Sequence, residues 1–205
     1  SSFCFPPNVW ILGAINVEET THYLSPKILD RVHVMRFTNP VLVDWESEES
    51  TLASFDLDMA MPVRMRAVEI GRRGLYPPFD RSQPDIAWLA ELSKEFLDLL
   101  GIEFGLRAIR QSVHYLDKAQ GCGINEAEAL NNVLMHKVLP KLVVDVDKLA
   151  PTGEKRRDLL KRMAQFIGAK LPTMDEAPPD NASVRLQQML VRAEANHGIA
   201  NFWAR

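Results

Sequence analysis

Residues 8 to 37 read NVWILGAINVEETTHYLSPKILDRVHVMRF. Asn16 stands at the tip of one apolar run and Arg31 just ahead of the next. An amide in that place either caps the turn after a strand, where Asn is common, or offers a hydrogen-bonding group for chemistry. A guanidinium is permanently charged and grips phosphate oxygens in two places. Its bland alternative is a surface pair with Asp30 or a nearby Glu, worth roughly 0–1 kcal/mol. A second cationic candidate is Arg107, which follows Gly105-Leu106, with Arg110 one helical turn later as its rival. His114 and His136 are lone histidines within helical patterns and receive no role. Cys4 and Cys122 are too few for a disulfide framework or a zinc site.

The elements that must hold these residues follow from the patterning. Val9 to Leu12 is an apolar run bounded by Pro6-Pro7 and Gly13, as a strand buried on both faces would be. Ser25-Pro26 has the form of an N-cap followed by Pro at the first helical position, so a short helix is expected to run to about Arg31. Val32 to Phe37 alternates and is rich in β-branched residues, which predicts a second strand. From Thr38 to Arg81 turn formers and charges dominate.

Beyond that point five helical faces are legible. They are Ile86, Leu89, Ser93, Phe96 and Leu100, closed by Gly101; Leu106, Ile109, Val113 and Leu116, closed by QGCG; Leu130, Leu134 and Val138, before Pro140; Leu160, Met163, Ile167 and Leu171; and Leu186, Met189, Leu190 and Ala193. The segment LPTMDEAPPDNAS before the last face reads as an exposed linker, and Phe202 and Trp203 are expected to pin the tail onto the bundle. The fold class expected is therefore an α/β remnant, strand-helix-strand, followed by a mainly α-helical domain.

Totals bound the rest. With 205 residues, 46% of them hydrophobic, the chain can bury a proper core. The formal charge of −3 creates no overall field toward nucleic acid or an anionic membrane. The basic stretches GRRG at Gly71 to Gly74 and EKRRDLLKR at Glu154 to Arg162 lack interleaved aromatics for base stacking and read as solvated faces. No apolar run is long enough to span a membrane, and the cysteine usage fits a reducing, cytoplasmic setting.

Four separated stretches carry a resemblance. GAINVEETTHYLSPKILDR at Gly13 to Arg31 is similar to the sensor 1 strand and following helix of AAA+ ATPases of the McrB-like branch, which includes dynein-related ATPase domains. In order after it, IEFGLRAIRQSVHYL, MHKVLPKL and RLQQMLVRAEANHGIANFW resemble segments of that branch's helical lid. The resemblance implies that Asn16 is sensor 1, which positions the water attacking the γ-phosphate. It implies that Arg31 is an arginine finger reaching a neighbouring subunit's nucleotide, and that Arg107 is the sensor 2 arginine, with Arg110 as alternative. Orientation of an in-line nucleophile and charge neutralisation are what phosphoryl transfer requires.

The family's phosphate loop, a Gly-rich run ending Gly-Lys-Ser/Thr, is absent from these residues. VLVDWE at Asp44 and KLVVDVD at Asp145 imitate its metal-binding acidic strand, but both come after the sensor 1 strand, whereas the family's metal strand precedes it. The expectation is a piece of a longer ATPase: residues 1–45 as the end of the nucleotide-binding core, 46–82 as a connecting segment and 83–205 as the helical lid domain. ATP and Mg²⁺ would belong to the intact parent, with no tight binding to this chain alone and no metal site of its own. The expected partners are the missing N-terminal half or a complementing subunit, within a ring homo-oligomer. DNA is an indirect cargo and no membrane is involved. The alternative is a non-catalytic interaction module serving a complete ATPase.

Overall fold

The computed structural model describes residues 13–15, 24–35, 83–171 and 181–203. The chain divides into two compact units, Ser1–Ala14 with Arg36–Leu75, and Ile15–Met35 with Tyr76–Arg205. Almost every described residue lies in the second unit, which is mostly helical with a small two-stranded sheet.

All five expected helical faces are helices. Helix α1, Pro26–Leu29, comes before them and is short. Ser25 precedes it in an extended conformation without a side-chain cap bond, so Pro26 at the first position is what sets the start. Helix α2, Pro84–Leu92, also opens on Pro, carries Asp85 in its first turn, and runs on through a π-turn, Ser93–Leu97. It buries Ile86, Leu89, Leu92, Phe96, Leu97 and Leu100. Gly101 then ends the run with φ +75°, where a side chain would be strained, and Ile102 N–H closes back on the Leu97 carbonyl at 2.8 Å.

Helix α3, Leu106–Gly121, buries Ala108, Ile109, Ser112, Val113 and Ala119 along one stripe. Helix α4, Glu126–Val133, is capped by Asn125, whose side chain accepts the Glu128 N–H at 2.8 Å. It continues as a π-turn over Leu134–Val138 and a 3-10 turn over Leu139–Lys141 that contains Pro140. Helices α5, Arg156–Lys170, and α6, Ala182–Ala195, pack tightly against each other. Gly168 permits that approach, because a Cβ there would lie 3.2 Å from Ser183 Oγ, which itself donates to the Ala164 carbonyl at 2.9 Å.

Two short strands were not foreseen. Strand β1, Val143–Asp145, pairs antiparallel with β2, Ile199–Asn201, with Val144 opposite Ala200. Next to β2 the expected aromatic anchor is present. Trp203 Nε1 donates to the Pro140 carbonyl at 3.0 Å, Arg185 donates to the Phe202 carbonyl at 2.9 Å, and the two rings stack edge to face.

One expectation is corrected. Residues 32–35, the described part of the second expected strand, form no strand; Val34 N–H makes a single bond to the His136 carbonyl at 3.2 Å. Residues 172–180 of the expected linker lie outside the described residues; of its flanks, Leu171, Ala182 and Ser183 are buried. KLVVDVD starts at the end of the 3-10 turn and holds β1, and Asp145 there pairs with Lys148 at 3.4 Å. The first expected strand, Val9 to Leu12, and Asp44 lie outside the described residues.

Candidate functional site

The charged residues that the fold brings together lie where α1 meets the first turn of α3 and the 3-10 turn after α4. Asp30 ends α1, and its carboxylate takes Lys141 Nζ at 3.1 Å on one oxygen and Arg107 Nη1 at 3.4 Å on the other. Its carbonyl accepts Lys137 Nζ at 3.3 Å. Lys137 also donates to Gln111 Oε1 at 2.6 Å, and Lys141 to the Glu103 carbonyl at 3.0 Å. Three cations from two distant stretches thus meet the one residue that caps the end of α1. Lys141 additionally lies over the Phe104 ring at 5.6 Å.

Depth separates the members of the cluster. Lys137 is only 1% exposed and the Lys141 side chain 7%, whereas the Arg107 side chain is 58% exposed and that of Asp30 26%. Burying an ammonium is costly unless acceptors surround it; Lys137 has the Asp30 carbonyl and the Gln111 amide oxygen, and Lys141 has the Glu103 carbonyl and the Asp30 carboxylate. Burial, and then the charge of Lys141, lower Lys137 from 10.5 to about 8, with Asp30 opposing. His33 borders the cluster, its ring 5.8 Å from that of Tyr115. Desolvation first, then Lys137 and His136, push His33 down to about 4 although the residue keeps solvent contact.

Of the residues singled out in the sequence, Arg107 is in this cluster. Arg31 is exposed on the turn after Asp30, and Arg110 is exposed on α3. Neither forms an ion pair with another described residue, so the Asp30–Arg31 pair considered above gives way to Asp30–Arg107 and Asp30–Lys141. Asn16 lies outside the described residues. The basic stretch Glu154 to Arg162 is matched by acids: Arg157 pairs with Glu194 at 3.2 Å and with Asp147 at 3.5 Å, and Arg162 with Glu154 at 3.3 Å. Among the described residues no group of His, Cys, Asp and Glu is close enough to hold a metal ion, and no helix is long and apolar enough to cross a membrane.

Lys137 and Lys141 were missed as site residues. The available signal was their spacing in MHKVLPKL, where two lysines four apart sit within an otherwise apolar run. A buried lysine in such a run requires a partner, and here the partner is Asp30.

Residues 72–198, well over half the chain, match the family described as Domain of unknown function (DUF8727), and the chain belongs to that family. No curated protein and no solved structure matches it.

Proposed function

We propose that this chain is the C-terminal part of a McrB-like AAA+ ATPase, comprising the end of its nucleotide-binding core and its helical lid. The observation that carries the reading is the cationic junction at Asp30. The stretch resembling the sensor 1 region ends at Asp30-Arg31, and it docks directly on the first turn of α3, where Arg107 occupies the sensor 2 position of the resemblance. A guanidinium there is placed to respond to a phosphate and to move the lid with it. Arg31, exposed at the same end of α1, is available to a neighbouring subunit. In the intact parent, ATP and Mg²⁺ would be bound by residues preceding these, Asn16 would orient the attacking water, and hydrolysis in a ring would drive remodelling or translocation, with DNA as a candidate cargo.

A second reading is a non-catalytic module that partners a complete ATPase. It is favoured by the ion pairs themselves, since Asp30 already neutralises part of the charge that a phosphate would meet.

The reading frame upstream of Ser1 tests the first proposal. A frame encoding Gly-x-x-x-x-Gly-Lys-Ser/Thr and then an apolar strand ending in Asp-Glu is expected, and Arg31→Ala in the product should abolish its ATPase activity. A frame without the phosphate loop sinks the catalytic reading and leaves the partner module.

A further inference from the structure

Arg107 and Lys141 share the Asp30 carboxylate and Lys137 bonds the Asp30 carbonyl, so three cations meet one anion and positive charge is left in excess. Nearby Arg31 and Arg110 add to that excess, while the Glu103 carboxylate is exposed and only its carbonyl joins the network.

We propose that Arg107, Lys137 and Lys141 form a binding site for the oxyanions of a polyphosphate, and that Asp30 is an internal counterion which the ligand displaces.

Exchange, rather than simple opening, follows from burial. If α1 withdrew alone, Lys141 would keep only the Glu103 carbonyl and Lys137 only Gln111. A nearly buried ammonium without an anion is strongly disfavoured. Lys141 is the lysine that would lose a carboxylate, and an entering anion that replaces it lowers the cost of moving α1. The lysines are held by acceptors that do not depend on the Asp30 carboxylate, so their Nζ atoms are oriented before any ligand arrives. Arg107 and Asp30 form the exposed side, through which a ligand gains access. The first turn of α3, to which Arg107 belongs, starts at Gly105 without a side-chain cap, and an anion is favoured at such a turn. Several oxygens are needed to satisfy three cations, which suits a polyphosphate better than a monovalent carboxylate.

The Arg107 part rests on the reading above; the lysines and Asp30 do not, and the test is arranged accordingly. Sodium tripolyphosphate, metal-free ATP and sodium sulfate at equal ionic strength are titrated into the full chain while backbone amides are followed by NMR. Tripolyphosphate and ATP should both shift residues 26–35 and 105–111, and sulfate should not. Asp30→Asn should bind tripolyphosphate about tenfold or more tighter, because the competing charge is removed, and Lys141→Gln about tenfold weaker. Arg107→Ala, a change at an exposed side chain, must also weaken binding, and it keeps the test decisive if Asp30→Asn fails to fold. Equal shifts with sulfate, binding of ATP without tripolyphosphate, or no loss in Lys141→Gln and Arg107→Ala would each overturn the site. A parent without ATPase activity would sink the reading above and leave this result unaffected.

Discussion

Asp30 and Lys141 are 111 residues apart in sequence and 3.1 Å apart in space, and their ion pair ties α1 to the turn that follows α4. The second pair on the same carboxylate, to Arg107, is far more exposed. The two should therefore differ in energy although they share an anion, because solvent screens the outer pair and not the inner one.

That difference is measurable by urea denaturation. Arg107→Ala should cost less than about 1 kcal/mol, as exposed pairs do. Asp30→Ala leaves Lys141 buried without its anion and should cost on the order of 2–3 kcal/mol, less than a fully buried pair because Asp30 retains solvent contact. Equal effects for the two variants would mean that depth does not set the strength of this junction.

The junction should also respond to pH, in a direction fixed by Lys137 and His33. Lys137 has a folded value of about 8 against 10.5 unfolded, so between those values the unfolded chain binds the additional proton. Stability should rise with pH across that window by at most about 3 kcal/mol, with the penalty fully present below it. Lys137→Met should flatten the rise in a series of thermal melts, and an unchanged slope would refute the assignment. For His33, held near 4 against 6.5, stability is present above 6.5 and is lost as pH falls toward 4. Its ring proton should titrate near 4 by NMR; a midpoint near 6.5 would show an unperturbed imidazole.

Trp203 supplies a third check, on the fold itself. Its ring is 8% exposed and its Nε1 bonds the Pro140 carbonyl. Trp203→Phe keeps most of the apolar area and loses the bond, at about 1–2 kcal/mol, while Trp203→Ala should cost about 3–5 kcal/mol. Comparable midpoints for the two variants would assign the anchor to packing geometry other than this side chain.

The helices were legible because their buried residues recur at helical spacing, as Ile86, Leu89 and Phe96 do in α2 with its π-turn. Strands β1 and β2 were not, since each is three residues long and pairs with a stretch more than fifty residues away. Local periodicity carries no trace of such a partner. Val32 to Met35 alternates as a strand would, yet it meets the π-turn through one bond, from Val34 N–H to the His136 carbonyl, instead of a ladder. At the candidate site, Arg107 was readable from its place after Gly105-Leu106. Asp30 and the lysines were not readable as a cluster, because their association is made by tertiary packing of α1 against the helical body.

The antiparallel pairing of β1 with β2 also bears on how the chain reaches its native state. During synthesis, α2 through α5 can emerge and collapse while β1 still has an open edge. That edge is closed only when Ile199–Asn201 leave the ribosome, and Trp203 meets Pro140 in the same step. A ribosome that stalls within α6 would thus hold a nascent domain with most of its helices formed and the β1 edge that β2 covers still unpaired.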